Sequence, residues 1–186
     1  MDYSTLYTLY NSKCKNYEHS GYVDLNTSQP YFYNPPTDPQ NTNTSVFIMS
    51  HQNYAIFHTH PDNISGMCLP YSPPSCTDLV SILDLCFYSD QTRPKYELVL
   101  TTEGVYKIDI DPDIGNQFLN TYRVSLQNRF KIYDYIKNNT IFHTIQDLYD
   151  GIINIQQYVD RVYELTGLSV KLYTWDVLQN NPGIRL

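Results

Sequence analysis

The chain has 186 residues and a formal charge of −7. That length suits one domain, residues 1–186, with a core of its own, and it falls short of an eight-unit strand–helix barrel, which takes about 250 residues. The acidic balance and the scattered lysines and arginines exclude nucleic acid as the main partner, because phosphate binding needs a concentrated basic surface.

The N-terminus, Met1-Asp2-Tyr3-Ser4-Thr5, lacks the basic and apolar segments of a signal peptide. No apolar run approaches the length of a membrane span. The expectation is a soluble, intracellular (cytoplasmic) protein with no membrane partner. Cys14, Cys68, Cys76 and Cys86 show no Cys-x-x-Cys spacing, which favours reduced thiols over a disulfide framework or a Cys-based zinc site. The 19 tyrosines are unusual and fit either a binding surface or a compositional bias.

In chain order, residues 3–14 read as a short helix with Leu6, Leu9 and Tyr10 on one side. Glu18 to Leu25 reads as a strand. Asn26 to Ser45 reads as a long polar loop, punctuated by Pro30, Pro35, Pro36 and Pro39. Its aromatic run, Tyr31-Phe32-Tyr33, suits a docking patch or a packed strand equally. Val46–Met49 and Tyr54–Phe57 read as two short strands with a turn at His51-Gln52-Asn53.

The second of these strands runs into Phe57-His58-Thr59-His60-Pro61. Alternate strand residues face the same way, so His58 and His60 project together and Thr59 projects oppositely. Two imidazoles held so can bind one Zn²⁺ at about 2.0–2.1 Å. A third ligand is offered by Asp78, in the first turn of the next helix. Ser75 is the N-cap of that helix, Pro73-Pro74 bars helix upstream, and Leu79, Val80, Ile82, Leu83, Cys86 and Phe87 give the apolar face. Ser75-x-x-Asp78 is also a plain capping box, which needs no metal.

Together, in this order, His58-x-His60 and Ser75-x-x-Asp78 resemble the signature of the JAMM/MPN+ zinc metallopeptidases, a family that includes deubiquitinating isopeptidases. The family places a catalytic glutamate upstream, often as Glu-x-x-Gly. Only Glu18, in Glu18-His19-Ser20-Gly21, precedes the histidines here. The insert from Pro61 to Pro74 is longer than the family's usual spacing. The resemblance implies an α/β (α+β) fold, a single MPN-like (cytidine-deaminase-like) domain with a mixed central β-sheet flanked by helices. It implies Zn²⁺ on His58, His60 and Asp78, with Glu18 as general base and acid and Ser75 as oxyanion donor. It also implies a protein or peptide substrate, with ubiquitin or ubiquitin-like conjugates as the leading class. The competing expectation is a catalytically inactive MPN-like scaffold or protein-interaction module.

The remaining histidines and carboxylates rank lower. His51 and His19 read as surface histidines, with His19 on the face opposite Glu18. Asp24 and Asp62 are fallback carboxylates, and nothing in the spacing supports a Cys76/His58 thiol peptidase. Downstream, Tyr96–Thr101 and Val105–Ile110 read as a hairpin turning at Glu103-Gly104, as MPN-type domains have. Two amphipathic helices follow, one marked by Ile114, Phe118, Tyr122 and Leu126. The other is marked by Ile152, Ile155, Val159 and Val162 and ended by Gly167. Leu168–Tyr173 reads as a last strand, Trp175 as a packing aromatic, and Asn180–Leu186 as a mobile tail.

Overall fold

A computed structural model describes residues 1–11, 18–33, 53–60, 63–64, 67–68, 72–86, 93–114 and 141–186. The expected strand Val46–Met49, His51, Asp62, Phe87 and the helix marked by Phe118, Tyr122 and Leu126 lie outside these residues. The elements are α1 (Tyr3–Asn11), β1 (Ser20–Asp24), β2 (Gln29–Phe32), β3 (Tyr54–Thr59), β4 (Asn63–Ile64), β5 (Met67–Cys68) and α2 (Cys76–Leu85). They continue with β6 (Tyr96–Leu100), β7 (Gly104–Asp109), α3 (Ile141–Tyr149), α4 (Ile155–Thr166), β8 (Val170–Thr174) and α5 (Trp175–Asn180).

Six strands form one mixed sheet in the order β2-β1-β3-β6-β7-β8. Only β3 and β6 run parallel, and α2 lies in the crossover between them, as a parallel connection requires. The other neighbours are antiparallel. β4 and β5 pair as a small hairpin inside the insert that follows His60.

Strand alternation sorts the core into two clusters, one on each face of the sheet. Tyr54, Ile56, Val99, Tyr106, Ile108 and Val170 pack beneath α2, α3 and α4, whose buried residues include Leu79, Ile82, Leu83, Leu148, Tyr158 and Val162. Val23, Phe57, Leu98, Leu100 and Val105 pack beneath α1 and α5, through Leu6, Leu9 and Leu178. The architecture is therefore a mixed sheet between two helical layers. Among the described residues no helix is long and apolar enough to cross a membrane.

The packing of β1 between β2 and β3 depends on a glycine. A Cβ on Gly21 would stand 2.0 Å from the Tyr31 carbonyl oxygen and 2.8 Å from the Phe57 ring. No side chain fits there, and this close approach accounts for the glycine three residues after Glu18.

Several expectations are corrected. The segment taken as one polar loop from Asn26 contains strand β2, which pairs with β1 in the register Tyr22↔Tyr31. Tyr31 stacks on Tyr22 at 4.8 Å and Phe32 meets Phe57 edge-on at 5.4 Å, so these aromatics pack as strand residues while remaining partly exposed. Ile152 is 68% exposed and precedes α4, which starts after Asn154. Asn154 and Gln157 form a reciprocal capping box there, and Gly167, at φ 73°, closes the helix in the left-handed conformation. The C-terminal tail is tied down rather than loose. Leu186 is buried, its N–H donates to the Met1 carbonyl at 3.0 Å, and the Met1 amino group donates to the Leu186 carbonyl. Helix α3 has no counterpart in the sequence reading.

Candidate metal centre

The site forms at the carboxyl end of β3, where Tyr54, Ile56 and His58 share the α2-facing side of the sheet. His58 follows the buried run of that face, and His60 follows it just past the strand end. The ends are held in place by main-chain bonds. His60 N–H donates to the Leu100 carbonyl on β6 at 2.9 Å, and Thr59 N–H donates to the His19 carbonyl at 2.8 Å.

Asp78 arrives from above, in the first turn of α2. Asp78 N–H donates to Ser75 Oγ at 3.3 Å, and Ser75 N–H donates to Asp78 Oδ2 at 2.5 Å. The capping box is therefore real, and its carboxylate also faces the histidines. The helix N-terminus favours a negative group at that position.

The three donors converge. His58 Nε2 and His60 Nε2 are 3.0 Å apart, Asp78 Oδ1 is 3.5 Å from His58 Nε2, and Asp78 Oδ2 is 3.3 Å from His60 Nε2. Tetrahedral bonds of about 2.0–2.1 Å put neighbouring donors roughly 3.3–3.4 Å apart. His58, His60 and Asp78 could thus hold a metal ion, with shifts of a few tenths of an ångström.

The outer partners set which nitrogen faces the centre. His58 Nδ1–H donates to Glu97 Oε1 at 2.7 Å, and His60 Nδ1–H donates to the Ser72 carbonyl at 2.7 Å. Both acceptors keep the ring proton on Nδ1, which leaves both Nε2 lone pairs turned toward each other and toward Asp78. Facing lone pairs repel unless a proton or a metal cation lies between them, and at 3.0 Å the two nitrogens can share either. Asp78 and the buried Glu97 also bring two carboxylates to two imidazoles, a balance that suits a divalent cation.

Electrostatics report the same tension. Burial alone would lower the His58 pKa, but Asp78, the Glu97 hydrogen bond and Glu18 outweigh it and raise it to about 9. Burial works to raise the Asp78 pKa, and the two histidines with the Ser75 N–H overcome it and hold the carboxyl far below its usual range. The Asp78 side chain is 18% exposed, so the cluster keeps an opening toward solvent.

Glu18 lies on the same side. β1 pairs with β3 in the register Ser20↔His58, and His19 continues the pairing through its two bonds to Thr59. Residue 18 therefore comes opposite His60, on the face shared with Ser20 and His58. Burial raises its carboxyl above the ordinary range, opposed by the charges of His58 and His60. His19 projects to the other face, as its alternation requires, but it is buried and not a surface histidine. Asp24 pairs with Tyr54 at the far end of β1 and is no substitute for Glu18. Cys76 and Cys86 are buried in the core and form no disulfide among the described residues.

Two partners of the site, Glu97 and Ser72, escape a reading of motifs. Glu97 stands in a buried strand, where an unpaired carboxylate is costly; that misplaced charge was the available signal. Ser72 acts through its main-chain carbonyl, which no residue type announces. Searches against protein-family models, curated proteins and solved structures return no match to the chain.

Proposed function

We propose that the chain is a zinc metallopeptidase of the JAMM type, with an MPN-like fold, hydrolysing an isopeptide or peptide bond. The observation that carries the reading is the convergence of His58, His60 and Asp78 at metal-donor spacing, with Glu18 beside them on one sheet face. Two histidines, one carboxylate and an opening to solvent are the donor set of catalytic rather than structural zinc. Zinc held there would supply a Lewis acid and a water whose pKa is lowered to about 7.

The chain's own residues supply the rest. Glu18 takes a proton from the attacking water and returns it to the leaving amine. Its raised pKa brings it closer to the operating pH, where such a relay is most efficient. Ser75 Oγ accepts from Asp78 N–H, which leaves its hydroxyl proton available for the oxyanion that develops at the scissile carbonyl. Glu97 and Ser72 hold the two imidazoles in the productive tautomer. The substrate class favoured by the resemblance is a protein or peptide, with ubiquitin or ubiquitin-like conjugates to lysine first among them.

The test is hydrolysis of a panel of ubiquitin–lysine isopeptides and plain peptides by the zinc-reconstituted protein and by Glu18→Gln. Wild type should cleave at least one class. Glu18→Gln should lose roughly 10²–10⁴-fold in kcat with its zinc content unchanged. Full activity in Glu18→Gln would remove the assigned base. A zinc-loaded wild type that cleaves nothing would point instead to a binding module of the same fold.

A further inference from the structure

The long insert after His60 raises a physical problem. The acceptor for His60 Nδ1–H is the carbonyl of Ser72, which lies at the far end of that insert. A carbonyl at the end of a long connection holds a ligand only if something fixes the connection, since closing a longer loop costs more entropy. The structure contains such a fixture. Ser72 N–H donates to Glu103, at 3.2 Å from Oε1 and 3.1 Å from Oε2. Glu103 stands in the β6–β7 turn, where Thr101 N–H donates to the Gly104 carbonyl at 2.8 Å. Tyr106, fully buried on β7, donates its hydroxyl to Glu103 Oε1 at 2.7 Å and fixes the carboxylate in turn.

We infer that Glu103, acting through the main chain of Ser72, is a positioning residue that holds His60 as a metal ligand across the long insert. The inference rests on the metal-site reading above. Ser72 is buried, so removal of Glu103 leaves its N–H without an acceptor among the described residues and releases the carbonyl on the same residue. His60 then loses the partner that keeps its proton on Nδ1. His58, held by Glu97, keeps its own.

The test uses Co²⁺ as the probe, with affinity, visible absorption and the ring-proton signals of the histidines as readouts, on Glu103→Ala, Glu103→Gln and Tyr106→Phe. Glu103→Ala should bind Co²⁺ roughly 10–100-fold more weakly, as losses of ligand-orienting partners do. Its visible spectrum should change, and the slowly exchanging His60 Nδ1 proton should vanish while that of His58 stays. Glu103→Gln should recover most of the affinity, because its side-chain oxygen still accepts from Ser72 N–H. Should Glu103→Ala not fold, Tyr106→Phe carries the test, with a few-fold loss and the same selective effect on His60. Variants with a lower melting temperature but wild-type Co²⁺ affinity, spectrum and His60 signal would overturn the inference. A wild type that takes no Co²⁺ would instead overturn the metal site beneath it.

Discussion

The two sides of β3 are equally buried and differ in what burial requires of them. On one side Ala55, Phe57 and Thr59 face α1 and α5, in a layer of Leu6, Leu9, Leu98, Leu100 and Leu178. Polar groups there are few. Trp175 packs among Tyr3, Tyr7 and Tyr10 and donates its indole N–H to the Thr101 carbonyl at 3.0 Å. On the other side Tyr54 and Ile56 give way to His58, and beyond the strand end to His60. There each buried polar group depends on another brought from a different element: Glu97 from β6, Asp78 from α2, Ser72 from the insert. One face stores stability in apolar contact, and the other holds a polar centre whose members have meaning only together.

Four substitutions and one change of pH should separate these roles, in decreasing order of effect. Phe57→Ala empties a fully buried position on the apolar face and should cost about 3–5 kcal/mol of unfolding free energy in denaturant titration. Metal bound per folded molecule should not change. Ser75→Ala should lower kcat by roughly 10²–10³-fold through loss of the proposed oxyanion donor and stability by about 1 kcal/mol through loss of the helix cap. Ser75→Gly sharpens this, because glycine keeps most of the cap and none of the hydroxyl. Its kcat should fall as far while its melting temperature stays near wild type.

Glu97→Gln keeps the shape of the buried partner of His58 and removes its charge. Metal affinity should drop roughly 10–100-fold by competition with a chelating dye. The smallest step is one of pH, about tenfold per unit. The folded-state pKa of His58 is raised from 6.5 to about 9. In metal-free protein its contribution to stability is therefore complete below pH 6.5 and lost as pH rises through about 9. Metal must displace that proton, so affinity should climb about tenfold per pH unit from neutrality and level off above about 9. Proton release measured by calorimetry in buffers of different ionisation enthalpy would check it.

The legibility of the chain follows the same division. His58, His60, Ser75 and Asp78 were readable because strand alternation and helix capping are local rules, and each pair lies within a few residues. The hairpin of β6 and β7 was readable for the same reason. Glu97 was not, since its role comes from parallel pairing with β3, in which Ile56 lies beside Glu97. Ser72 and Glu103 depend on a contact across 31 residues made by a main-chain N–H. Apolar spacing alone carries this helix back to Ile152, whereas the Asn154–Gln157 capping box starts α4 after Asn154. The anchor of the tail is Met1, 185 residues away, and no local pattern marks such a contact.

Everything proposed for the polar face depends on one zinc at His58, His60 and Asp78. Its most direct test is the zinc content per chain of purified wild type and Asp78→Ala, by elemental analysis after mild chelation. One zinc in the wild type and a clear loss in the variant is the predicted result. A wild type that takes up no zinc even after reconstitution, or an Asp78→Ala protein that keeps it, would rule the site out.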